Sequence, residues 1–472
     1  MNFRLTKGNF LKTGAYIEGD SAVFTFAAEK EDECSIVLLD KSGNTACELD
    51  IPSEYSTGSL YSVRVHGFCG NKYAYYFKIN GKRCIDPYAT RIFGREKWND
   101  KTRSDNDYEI ACGIDSSDFD WKYDSFPEIT RDRMKLYKLH VRGFSMDVSG
   151  NKKHKGTFEA VSDRINYIKK LGFTSILLMP VYEFEEMTIP VKHDIPEYAK
   201  PKYSLKDEQS VHTENDKVNF WGYTSGNYFA VKASYASDAS DASNELRRLV
   251  ERLHKNGMEC IVEMYFPDRT DHNLILDALR YWVMSFHVDG FKLLGDRLPV
   301  TAIVQDALLS RTKILYDGFD MSVVPQNRTY ENLYIDKEEY QFAARMMLNH
   351  INCNMYELLN QQKKQGENVG FINYISSNNG FTLSDLFMYN DRHNEANGEK
   401  NADGPSWNFS NNYGCEGPSR KRFIREIRKL KWKDAMLLLF LAQGVPMIMA
   451  GDEICNSQDG NNNASCPDNP TG

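Results

Sequence analysis

Val288 to Asp296 reads VDGFKLLGD, and the runs on either side of it decide the fold. Upstream, Leu274, Ala278, Trp282 and Phe286 recur at helical spacing through the amphipathic run Leu274 to Phe286. A short β-rich piece opens at Gly290, and a second helical run begins near Pro299. Helix, strand and helix in that order form the unit of a parallel α/β protein.

The same texture extends both ways from Lys135 onward. Leu136 to Val141 is short and apolar, and Phe158, Val161, Ile165, Ile168 and Leu171 mark a helix that Gly172 stops. Thr174 to Val181 reads as a buried parallel strand. A polar insertion follows from Glu183 to Val218, carrying Pro190, Pro196 and Pro201, and is expected over one rim. Leu246, Leu249, Val250 and Leu253 mark the next helix, and Met258 to Phe266 is a third strand. Beyond the quoted stretch, Thr312 to Asp317 is a fifth strand. The sixth is weak, with Ser322 to Val324 or Leu333 to Ile335 to supply it. A long helical stretch spans about Lys337 to Lys364, a seventh strand Asn373 to Ser377, a basic helix Arg420 to Leu441 and an eighth strand Val445 to Ala450. This order predicts a (β/α)8-type TIM barrel over 134–472, with its site on the loops that follow the strands.

Residues 1–100 have a different period. Ser21 to Ala28, Ser35 to Leu39, Leu60 to Val65 and Lys72 to Ile79 are short β-branched and aromatic runs, separated by turn signals such as Asn80-Gly81. They predict a small immunoglobulin-like β-sandwich. The stretch 101–133 is polar and acidic (Asp105, Asp107, Asp115, Asp118) and is expected to connect the two.

Composition removes several functional classes. The 472 residues are 41% hydrophobic, enough for a large core. Fifty-eight basic against 66 acidic residues give −8, which argues against a nucleic-acid partner. The N-terminus MNFRLTKGNFLKTG has no apolar core of a secretory signal. The longest apolar run, Ala435 to Ala442, is too short to cross a bilayer, so no membrane partner is expected. Ten cysteines from Cys34 to Cys466 show no metal-ligand spacing. They read as reduced thiols of a cytoplasmic protein with neither metal nor cofactor.

Several spellings are characteristic of a known family. VDGFKLLGD, LHVRGF, NFWGYTSGNYFA, the segment Tyr389 to Gly417 (YNDRHNEANGEKNADGPSWNFSNNYGCEG) and GDEICNSQDGNNNASCPDN resemble the α-amylase superfamily of glycoside hydrolases, in its isoamylase, pullulanase and glycogen-debranching branch. KYAYYFKINGKRCIDPYA (Lys72 to Ala89) resembles the end of the N-terminal carbohydrate-binding-type module of those enzymes. The resemblance implies a barrel lacking its last helix and the β-domain that follows in the family. A partner or self-association would then cover the uncapped barrel end.

It also assigns positions. Retaining glycosidases need two carboxyl groups about 5 Å apart, a nucleophile and an acid/base. The family adds a third carboxylate beside the sugar. The nucleophile position is Leu294, which has no lone pair. The acid/base position holds Asp317, one methylene shorter than the family's Glu. The third carboxylate falls on Asn379 and its neighbouring His on Asn378. In the third strand Glu263, Pro267 and Asp268 replace the family's Asp, Asn and His. Tyr223, Lys292, Asn378 and Asn379 remain as sugar-contacting candidates at the rim.

A lost general acid alone costs roughly 10²- to 10⁴-fold, and losing nucleophile and stabiliser together removes the covalent route. The expectation is a catalytically inactive or severely impaired debranching-like protein that at most binds branched α-glucan such as glycogen, amylopectin or maltooligosaccharide. One rival is an active α-1,6-glucan hydrolase rebuilt on Asp296 and Asp317, since residues two apart on a strand share a face. The other is a scaffold that binds no sugar.

Overall fold

A computed structural model describes residues 3–69, 72–104, 109–115, 118–123, 125–146, 154–187, 218–320, 322, 330–366 and 368–466. The chain forms two compact units. One gathers 1–122, 182–184 and 225–248; the other gathers 123–181, 185–224 and 249–472.

The first unit is a β-sandwich. One antiparallel sheet runs Arg4–Lys7, Leu60–His66, Ser21–Ala27, Gly14–Glu18. The other runs Arg91–Phe93, Ala111–Gly113, Ala74–Ile79, Cys34–Leu39, Thr45–Ile51. Alternate residues of both sheets point inward, and aromatic rings fill the space between: Phe26 stacks on Phe77 at 4.1 Å and Phe24 meets Tyr75 edge-on at 4.8 Å. Asn80 and Gly81 turn the hairpin with φ of 50° and 76°, the left-handed pair that this dipeptide favours. Within the stretch expected to be a connector, Ala111–Gly113 pairs as a strand on both edges. Three small residues carry no readable period, so only the pairing reveals it.

The second unit holds a closed barrel of eight parallel strands: β1 (Leu136–Leu139), β2 (Ser175–Leu178), β3 (Glu259–Tyr265), β4 (Gly290–Leu294), β5 (Lys313–Leu315), β6 (Leu333–Asp336), β7 (Gly370–Asn373) and β8 (Val445–Met449). Leu136, Leu177, Ile261, Leu315, Ile372 and Met447 fill its lower interior as a packed core. The helices around it are α1 (Phe158–Asp163), α2 (Ile165–Lys170), α3 (Ala242–Lys255), α4 (His272–Phe286), α5 (Val300–Gln305), α6 (Glu338–Leu348), α7 (Met355–Lys363) and α8 (Arg422–Leu441). Trp282 and Phe286 of the helical repeat before VDGF are fully buried on α4.

One open choice is resolved and two expectations change. The sixth strand is Leu333–Asp336; most of its rival, 323–324, lies outside the described residues, as does the insertion over 188–217 with its three prolines. The seventh strand starts three residues early and ends at Asn373. Beyond it, Arg345 Nε (2.6 Å) and Gln341 Nε2 (3.3 Å) take the Ile375 carbonyl that a longer ladder would use. The stretch Lys337 to Lys364 splits into α6 and α7, because His350 and Asn352 adopt left-handed φ and Asn354 caps a new helix through Glu357 N at 3.1 Å.

Candidate functional site

Side chains at the C-terminal ends of the barrel strands meet where active sites of this architecture lie. Lys138 on β1 points inward and its Nζ lies 2.6 Å from Glu263 Oε1 on β3, with both side chains almost wholly buried. Tyr223 donates its hydroxyl to Glu263 Oε2 at 2.7 Å. Lys138 Nζ also donates to Asn378 Oδ1 at 2.7 Å, and Asn378 Nδ2 returns to the Tyr223 hydroxyl at 3.3 Å. These four side chains form one closed ring of three hydrogen bonds and one ion pair.

A second pair lies beside it. Lys292 on β4, opposite Glu263 in the ladder, is ion-paired with Asp336 at the end of β6. The Asp336 backbone N–H donates to Asp317 Oδ1 at 3.0 Å. Burial and neighbouring charge shift three of these groups. Burial pulls the Lys138 ammonium down, with Glu263 opposing and Lys292 adding to the shift. Burial also works against Lys292, but Asp336, Glu263 and Asp317 outweigh it and hold its pKa above the ordinary lysine range. Loss of water and the nearby Asp336 carboxylate raise Asp317, while Lys292 counters.

The family positions fall as follows. Leu294 is the last residue of β4, half-buried, and its carbonyl accepts Phe266 N at 2.8 Å. Gly295 then turns with φ 128°; a Cβ there would lie 2.0 Å from the Phe266 carbonyl oxygen. The pleat therefore stops at Leu294, and Asp296 stands exposed on the bend beyond it. The two-residue spacing that would aim Asp296 at the sugar along with Leu294 does not operate. Tyr316, bonded to the Gly295 carbonyl at 3.3 Å, is raised by burial and by the charges of both Asp296 and Asp317. Asn379 is exposed, whereas Asn378 is drawn into the Lys138 ring. Tyr223 and Asn378 thus belong to the Lys138 ring, and Lys292 to the neighbouring pair with Asp317 at its edge.

Sequence reasoning passes over Lys138 and Asp336. The signal for Lys138 is a lone cation in an apolar strand, LYKL, which needs a buried partner. Asp336 ends a strand that is itself weakly marked. Glu263 stands out in the sequence as a departure from the family and not as a member of the site.

The segments that carry the resemblance have another task. Asn394 and Asn462 bond reciprocally (Asn394 Nδ2 to Asn462 Oδ1 at 2.8 Å, Asn462 N to Asn394 Oδ1 at 2.9 Å), and Asn461 Nδ2 donates to Asn397 Oδ1 at 2.9 Å. Asn462 Nδ2 reaches Asn408 Oδ1 at 2.9 Å. This buried amide ladder clamps the loop after β7 to the segment after β8. It satisfies its own polar groups and presents no reactive atom. Among the described residues, no group of three or more His, Cys, Asp or Glu is placed to hold a metal ion.

Comparison with known proteins agrees with this architecture. The α-amylase catalytic-domain model matches residues 148–275. Isoamylase 1 of Arabidopsis thaliana chloroplasts is 28% identical over 92% of this chain and 67% of its own length. The glycogen debranching enzyme of Enterobacter sp. (strain 638) is 27% identical over 99% of this chain and 81% of its own. Among solved structures, the catalytic module of the glycogen-degrading pneumococcal virulence factor SpuA superposes with a TM-score of 0.66 at 19% identity, covering 96% of this chain and 71% of that one. Pullulanase from Bacillus acidopullulyticus gives 0.64 at 18%, covering 96% and 59%. The fold is a closed eight-strand barrel preceded by a β-sandwich, the architecture of these structures. The chain is similar to the α-amylase superfamily, on its debranching-enzyme side.

Proposed function

We propose that this protein has lost glycoside hydrolase chemistry and serves, at most, to bind branched α-glucan, with the cytoplasm as its location. The observation that carries the reading is the pairing of the pocket's buried carboxylates. Glu263 is held by Lys138 and Tyr223, and Asp336 by Lys292. A displacement at a sugar carbon needs a free carboxylate on one face and a proton donor on the other. Leu294 offers neither. Asp317 keeps a raised carboxyl group and is suited to a hydrogen bond, but it has no partner nucleophile. The ring of Tyr223, Asn378 and Lys138 supplies a hydroxyl, an amide and an ammonium, which suit sugar hydroxyls. The relatives named above are isoamylase, glycogen-debranching and pullulanase enzymes, which favours an α-glucan over other polymers.

Two measurements test it. Purified protein incubated with pullulan or glycogen releases no reducing sugar, and calorimetric titration with maltoheptaose gives saturable heat that Tyr223→Ala reduces about tenfold in affinity. Reducing-sugar release abolished by Asp317→Ala would overturn the loss of chemistry. A flat titration, with no retardation in a glycogen-containing native gel, would remove glucan binding and leave the scaffold reading.

A further inference from the structure

The β-sandwich has a cavity of about 770 Å³ on the outer face of its second sheet. Its floor follows from strand period. Ile36, Leu38, Tyr75 and Phe77 point into the space between the sheets, so Val37, Leu39 and Tyr76 point out. An outer face normally carries polar side chains against solvent. Here Val37, Leu39, Tyr76 and Ala111 form a second apolar cluster, with Ala74 and Phe93 packed against it. In the ladders Phe93 pairs with Ala111 and Leu39 with Ala74. The two alanines leave a hollow that Phe93 and Leu39 help to wall.

Charge decides what the hollow accepts. Lys41, Lys72, Arg83 and Arg91 line it against Asp40, Glu96 and Glu109, in a chain whose formal charge is −8. Each acid is occupied. Asp40 Oδ1 accepts Ser42 N at 2.8 Å and Asn44 N at 3.0 Å, and both Glu96 oxygens accept Gly94 N at 3.0 Å. Glu109 accepts Arg83 Nη1 at 2.6 Å. The cations are less well met. Arg91 lays its guanidinium 4.5 Å from the centre of the Phe93 ring. Its N–H groups and the ammonium groups of Lys41 and Lys72 have no hydrogen-bond or ion-pair partner among the described residues. Asp238, which senses the Arg91 charge, is bonded instead to Ser240 N at 2.9 Å and Oγ at 2.7 Å. Arg83 lies 3.8 Å over the Tyr76 ring, and its buried Nε has no acceptor. Aromatic rings therefore hold both guanidinium planes in place.

A phosphate takes two parallel N–H bonds from one arginine and accepts lysines as point charges, so its double charge matches these groups. A neutral glucan would leave the same cations unmet. The volume is that of a small-molecule site. We propose that this hollow binds a phosphate-bearing small molecule, a nucleotide or a sugar phosphate, with Arg91 as the main phosphate contact and Lys41 and Lys72 beside it. Binding here does not depend on whether the barrel pocket takes glucan.

Calorimetric titration of the full chain with adenosine monophosphate and with glucose 6-phosphate, each beside its unphosphorylated form, tests this. At least one ester binds saturably, and its parent adenosine or glucose binds at least about tenfold more weakly. The tighter ester shows which body the apolar floor accepts. Arg91→Ala weakens that ester about tenfold or more, and so does Lys41→Glu with Lys72→Glu. Arg91→Lys, which keeps the charge and loses the fork, recovers only part of the affinity. All these variants keep the parent melting temperature, since the side chains make no hydrogen bond or ion pair among the described residues. Excess maltoheptaose does not displace the ester. No saturable heat with either ester overturns the proposal, as does equal binding of the unphosphorylated forms. Affinity unchanged in Arg91→Ala, or displacement by maltoheptaose, overturns it as well.

Discussion

Lys138 shows what a charge inside a barrel requires. Its side chain leaves water almost completely, a loss of several kcal/mol that only a close counter-ion offsets. Glu263 supplies that charge, and Tyr223 and Asn378 occupy the remaining hydrogen-bonding capacity. Removing one partner strands the other. Lys138→Met is therefore expected to cost about 3–5 kcal/mol in urea unfolding, while Lys138→Met combined with Glu263→Leu recovers most of the loss. Equal costs for the single and double variants would show that the pair does not hold the site together. The residue types at 294, 317, 378 and 379 are readable from the chain alone, because a substitution at a motif position is one-dimensional information. The partners of Lys138 and Lys292 are not, because each lies on a different strand far along the chain.

The elements show the same division. The helix after β3 is legible in both its start and its face. Asp271 accepts Asn273 N and Leu274 N at 2.9 Å each, and Ile275, Ala278, Leu279, Trp282 and Phe286 bury one side of α4. Asp271→Ala is expected to lower stability by about 1 kcal/mol, read as a shift in urea midpoint without a change in slope. Asp271→Asn should keep most of it, since an amide oxygen still caps. The ends of the strands are less legible. β7 stops where Arg345 captures a carbonyl, and β4 stops where Gly295 takes a left-handed φ against Phe266. Pleat periodicity runs on past both points in the sequence, and it suggests a position for Asp296 that the backbone does not allow.

At the scale of the whole molecule, each unit carries one fully buried aspartate that burial pushes up to about 6. Asp86, in the sandwich, accepts the Tyr75 hydroxyl at 2.7 Å and Tyr88 N at 2.8 Å. Asp452, after β8, accepts Leu383 N at 3.0 Å and Met449 N at 3.1 Å. Both folded values lie above the unfolded value of about 3.9, so the folded state holds these protons more tightly. Their contribution to stability is fully present below about pH 4 and is lost as pH rises through 6. For each group the difference in proton affinity between the folded and unfolded chain is worth roughly 3 kcal/mol. Thermal melts at about pH 4.5 and about pH 7.5 should show this fall, and Asp86→Asn or Asp452→Asn should remove that residue's share of it. A pH dependence unchanged in both variants would contradict the assignment.

By itself the sequence determined the eight-strand barrel, the sandwich before it and the absence of a carboxylate at Leu294. Those are properties of local period and of residue type, which a linear chain states directly. The tertiary structure decided that Glu263 and Asp336 are neutralised, that Asp296 faces solvent and that the signature asparagines form a clamp. These depend on which side chains meet across strands, and on how the backbone turns after the last paired residue.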